Sequence, residues 1–113
     1  METLLHDGPA PVFDREHLAQ YTSGDAALEA ELFGLLKEQA ERCLDAMQAA
    51  TDANAWRAAA HTLKGASRGV GAFELAEACQ RAEDATQASW PMAVADVRSA
   101  ANRAFAEMDR VFG

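Results

Sequence analysis

The sequence predicts an all-α protein: an antiparallel four-helix bundle with a short additional N-terminal helix. Three observations carry this reading. Alanine, the strongest helix former, makes up about a quarter of the 113 residues. The three prolines keep to the margins, Pro9 and Pro11 in the lead-in and Pro91 late in the chain. Beta-branched residues are few, and no stretch alternates with the period of two that a half-buried strand requires.

Residues 1–12 read as an extended tail, since Gly8, Pro9 and Pro11 oppose a helix. The domain is expected to fill 13–113. Asp14 is a candidate N-cap, with Phe13 and Leu18 as a hydrophobic staple, for a helix over about 15–21 that stops in Thr22-Ser23-Gly24. Asp25 caps a second helix in which Leu28, Leu32, Leu35, Leu36, Cys43, Leu44 and Met47 recur at spacings of three and four. Glu29, Glu31, Lys37, Glu38, Glu41 and Arg42 are assigned to its solvated face. Asp52 caps a third helix over 53–70, which Gly69 or Gly71 can end in the left-handed region. A fourth helix is expected from 72 or 73 to about 88, with Glu74 and Glu77 near its positive end. Pro91 suits the first turn of a fifth, whose apolar face runs Val94, Val97, Ala101, Ala104, Phe105, Met108, Val111, Phe112. Four long amphipathic helices on short connections make the bundle, and the first helix closes one end.

The chain length suits one domain. Ten Lys and Arg against 18 Asp and Glu give a formal charge of −8, which opposes binding to nucleic acid or an anionic membrane through bulk charge. Cys43 and Cys79 fall in apolar helical patterns without metal-ligand spacing, as in a reduced intracellular protein. The first eight residues lack the basic and apolar regions of a secretory signal, and no apolar run approaches a membrane span. A cytoplasmic monomer with no metal of its own is expected.

The third helix carries the chemistry. On a helical wheel, Trp56, Ala59, Leu63, Ala66 and Val70 form the buried side. Opposite them fall Asn54, Arg57, Ala58, His61, Lys64, Gly65 and Arg68. His61 thus sits mid-way along an exposed face, with Arg57, Lys64 and Arg68 within two turns. Three cations beside one imidazole, on an acidic protein, would attract and hold a phosphoryl group on its ring. Gly65 lies one turn beyond His61 and costs a helix about 1 kcal/mol relative to alanine. With Ala58 on the other side, it leaves the ring clear for another protein to close over.

The run Ala60-His61-Thr62-Leu63-Lys64-Gly65-Ala66-Ser67-Arg68-Gly69-Val70-Gly71-Ala72 resembles the signature of the histidine-containing phosphotransfer (HPt) family. That pattern is His-x-Leu-Lys-Gly, a small residue, and a glycine ten positions after the histidine. The chain departs from it at Gly69, where the family frequently has asparagine. The resemblance covers about 13–112 and implies a carrier moving a phosphoryl group between receiver-domain aspartates of a multistep two-component phosphorelay. It makes His61 the phosphoacceptor, Lys64 the residue that steadies the phosphoryl group, and Gly65 and Gly71 the small positions. The family often sets a polar residue 22 positions after the histidine to orient the ring; here that is Glu83. Gln80, one turn earlier, is placed at the same site, and Leu32, Leu36 and Phe33 of the second helix are candidates for an apolar docking patch. Implied partners are receiver domains, which would bring Mg2+ and the second phosphoacceptor, and a hybrid histidine kinase. The carrier itself would have no ATP or metal site and would not be an enzyme on its own.

Two other readings share parts of this pattern. The phosphoacceptor module of a chemotaxis-type histidine kinase has the same bundle and motif. A helical adaptor without phosphorylation has only the bundle. A DNA-binding helix-turn-helix is opposed by Glu74, Glu77, Glu83 and Asp84 on the would-be recognition helix. No Gly-x-x-x-x-Gly-Lys-[Ser/Thr] loop is present to cradle a nucleotide.

Overall fold

In the computed structural model, residues 9–112 are described and the fold among them is all-helical. Five helices follow in order: α1 (Arg15–Thr22), α2 (Ala26–Ala49), α3 (Ala53–Val70), α4 (Phe73–Asp84) and α5 (Trp90–Phe112). A single 3-10 turn, Gln87–Ser89, precedes α5. The expected tail at 1–8 lies outside the described residues.

Three helices begin on the aspartates whose short carboxylates suit an N-cap. Asp14 accepts from His17 N at 3.2 Å, Asp25 from Leu28 N at 3.1 Å and Asp52 from Ala55 N at 2.9 Å. Each such cap contributes about 1 kcal/mol by satisfying an otherwise orphaned amide. Once started, α2 to α5 pack in a closed ring, α2 on α3, α3 on α4, α4 on α5 and α5 back on α2. The core inside it includes Leu36, Leu44, Met47, Trp56, Leu63, Leu75, Val97 and Met108, all buried. Cys43 and Cys79 are buried and unbridged, and burial pushes the Cys79 thiol up to about 12. At one end the Trp56 and Trp90 rings stack, 4.6 Å apart and nearly parallel.

Packing overrides the expected pattern in three places. Glu29, assigned to a solvated face, is completely buried. The helix α1 folds over it, and its carboxylate accepts from Thr22 Oγ1 at 2.8 Å and Arg15 Nη2 at 3.3 Å. A buried charge needs such partners, and here they tie α1 to α2. Conversely, Leu28 and Leu35 were expected in the core and are exposed, Leu35 by 54%. The helix α4 ends at Asp84 rather than near residue 88. Its Ala82 carbonyl accepts from Trp56 Nε1 at 2.6 Å and from Ala85 N at 3.2 Å. Thr86 lies next in extended backbone. A core indole thus takes the carbonyl that a continuing helix would offer to residue 86.

At the other end of α3, Gly71 adopts φ +89 and ends the helix in the left-handed region. Residues ahead of α1 lie across this turn. Asp14 N donates to the Gly71 carbonyl at 2.9 Å, and Glu74 N donates to the Pro11 carbonyl at 2.9 Å. Phe13 meets Phe112 edge-on at 5.7 Å, so the same strap reaches the end of α5.

Candidate functional site

At about 100° per residue, Arg57, Ala58, Gly65 and Arg68 fall within about 60° of His61 around α3. All five are exposed, the His61 side chain by 72%. The sequence dictates this: the apolar positions that pull α3 inward are Trp56, Ala59, Ala60 and Leu63, and His61 lies away from them. Ser67, on the inner side, satisfies its hydroxyl on the Leu63 carbonyl at 2.7 Å.

Lys64 departs from the expected exposed face. It lies about 60° from His61 on the side where α4 packs, and it is 8% exposed. Its stem is covered and its ammonium emerges between two α4 side chains, the usual way a long cation is buried. Nζ is 2.9 Å from Gln80 Oε1 and 2.6 Å from Glu83 Oε1. The second approach lies outside hydrogen-bond angles, so Glu83 Oε1 is charge-paired without being hydrogen-bonded. The same oxygen is 3.5 Å from His61 Nδ1. Gln80 Nε2 in turn donates to Asp84 Oδ2 at 3.1 Å. His61, Lys64, Gln80, Glu83 and Asp84 therefore form one connected polar group, resting on α3 and α4.

The approach of Glu83 Oε1 to Nδ1, at 3.5 Å, is electrostatic and not a hydrogen bond. A carboxylate can only accept, so it favours the tautomer with the proton on Nδ1. In that tautomer Nε2 keeps its lone pair. A carboxylate beside Nδ1 would stabilise positive charge on the ring.

The family model described as Hpt domain matches residues 31–108. The chain belongs to the Hpt domain family. Hpt domains are helical bundles that act in histidine phosphotransfer in phosphorelays, meet receiver domains and kinases, and are carriers rather than enzymes with a catalytic site of their own. Neither the curated proteins nor the solved structures gave a match. No helix among the described residues is long and apolar enough to cross a membrane.

Phe33 and Gly71 have packing partners of their own. Phe33 packs toward α5, its ring 6.1 Å from Phe105 and 6.2 Å from Phe112, with the Lys37 ammonium 5.1 Å away over its face. Leu32 and Leu36, also expected near His61, line with Leu35, Gln39, Ala66 and Val70 a shallow cleft of about 120 Å³ between α2 and α3. Gly71 is buried ten residues along the helix from His61, about 15 Å away along its axis, where it supports the strap. Asp84 is the member of the polar group that sequence reasoning missed. Its signal was the four-residue spacing from Gln80 on α4, which brings two such side chains together.

Proposed function

We propose that this Hpt domain is a cytoplasmic, monomeric carrier of a multistep two-component phosphorelay, holding a phosphoryl group on His61 Nε2. The single observation that carries this is the exposed His61 ring with Nδ1 toward Glu83 Oε1, at 3.5 Å. The Nε2 lone pair attacks phosphorus of a receiver aspartyl phosphate in line. The P–O bond breaks, the aspartate leaves as a carboxylate, and the Nδ1 proton stays on the now cationic ring. Lys64, three residues on, steadies the phosphoryl group, and Glu83 orients the ring. Arg57 and Arg68 add positive charge on the docking face, and Ala58 and Gly65 give the receiver room. The receiver brings Mg2+ and the second phosphoacceptor, and a hybrid histidine kinase supplies the chain upstream. The closed ring of α2 to α5 supports reading residues 13–113 as an antiparallel four-helix bundle with α1 appended.

The test is transfer from labelled phospho-receiver domains in the presence of magnesium, comparing the wild type with His61→Gln. Label that is acid-labile and base-stable should appear on the wild type only. The variant should melt within about 0.5 kcal/mol of the wild type, because the replaced ring is exposed. Equal labelling of both proteins, or no labelling of the wild type by any receiver, would overturn the reading.

A further inference from the structure

The ammonium of Lys64 is held by two acceptors of α4. It contacts Glu83 Oε1, and that oxygen faces Nδ1. Its other contact, Gln80 Oε1, is fixed from behind. An ammonium only donates and a carboxylate only accepts, so the Gln80 amide between Lys64 and Asp84 has one orientation that satisfies both. Gln80 also stands on the same helix as Glu83, so the two acceptors reach the buried stem of Lys64 together.

We propose that Gln80, oriented by Asp84, is a positioning residue that with Glu83 forms a rest site for the Lys64 ammonium while His61 is unphosphorylated. Phosphorylation draws the ammonium off this site toward the phosphoryl oxygens, and the strength of the rest site sets how much phosphohistidine forms. Lys64 at rest also cancels the Glu83 charge, which would otherwise face an incoming dianion. This inference rests on the assignment of His61 as acceptor and adds a role for two side chains of α4.

The sign of the effect follows. Removing the Gln80 carbonyl weakens the rest state and leaves the phosphorylated state untouched, so phosphohistidine is favoured. Adding a second carboxylate there does the opposite.

The probe is phosphoramidate, whose phosphorus Nε2 attacks with release of ammonia, so that no receiver is needed. The extent of reaction at fixed phosphoramidate and ammonia is read by 31P NMR, and the Lys64 ammonium by 15N NMR. Gln80→Met should raise the ratio of phosphorylated to free protein about three- to tenfold, the scale of one ordinary hydrogen bond in partly exposed surroundings. Gln80→Glu should lower it. In a Lys64→Ala background Gln80→Met should change nothing, which a purely structural role for Gln80 would not produce. The Lys64 resonance should move when His61 is phosphorylated. If His61 labels but Gln80→Met leaves the ratio unchanged, acts equally without Lys64, or leaves the Lys64 resonance where phosphorylation finds it, the rest site is overturned and the carrier reading stands. If phosphoramidate labels the wild type no more than His61→Gln, both fall together.

Discussion

Gly65 and Gly71 stand six residues apart on α3 and are glycines for opposite reasons. At Gly71 the backbone has φ +89, and an added Cβ would lie 2.5 Å from the Asp14 carbonyl oxygen. Asp14 also donates to the Gly71 carbonyl, so the backbones are pressed together by their own hydrogen bond. At Gly65 the backbone is ordinary helix, and an added Cβ would meet nothing within 4 Å. The fold requires the first glycine. Nothing among the described residues requires the second, which costs α3 helix propensity and stands one turn from an exposed imidazole. Open space at Gly65 is what the proposed closing of a receiver over His61 needs.

The sharpest way to break this contrast is Gly71→Ala. A side chain in the left-handed region costs about 1–2 kcal/mol, and the strap must also move off the Asp14 contact. The expected loss is about 3 kcal/mol, which for a domain of this size lowers the melting temperature by about 10 °C or more. Melting within about 2 °C of the wild type would show that the strap gives way freely and that Gly71 is no more constrained than Gly65.

These two glycines also mark what the sequence could and could not convey. The three capping aspartates were legible because a cap is a local bond, made three residues along. The exposure of His61 was legible because its angle from the apolar stripe lies within one helix. Lys64 was placed on the exposed face because the wheel of α3 does not say where α4 lies. Glu29 was missed for the same reason, since its burial depends on α1 folding back. The end of α4 depends on an indole 26 residues earlier in the chain. Phe33 and Leu35 both belong to a broad apolar arc, and only the positions of α3 and α5 decide which side chain borders which helix. Local bonds and single-helix faces are thus readable, and contacts between helices are not.

Gly65→Leu tests the other half of the contrast. In exposed helix, leucine is better than glycine by most of a kcal/mol, so the bundle should melt no lower than the wild type. Transfer from a phospho-receiver should fall about tenfold or more, because an isobutyl group stands where the partner must approach. An unchanged transfer rate would mean that no partner comes close at this position.

The smallest expected effect separates the two requirements most directly. Gly65→Ala adds one methyl group in open space and removes the backbone entropy that glycine brings to a helix. Stability should rise by about 1 kcal/mol, seen as a melting temperature several degrees higher. The same methyl group at Gly71 should lower it. If Gly65→Ala also slows transfer, but less than Gly65→Leu, the loss tracks the volume added, and the glycine is kept at a cost in stability for the sake of contact. If it gains stability with transfer unchanged, the partner tolerates a methyl group, and the clearance it needs at this position lies between the sizes of alanine and leucine.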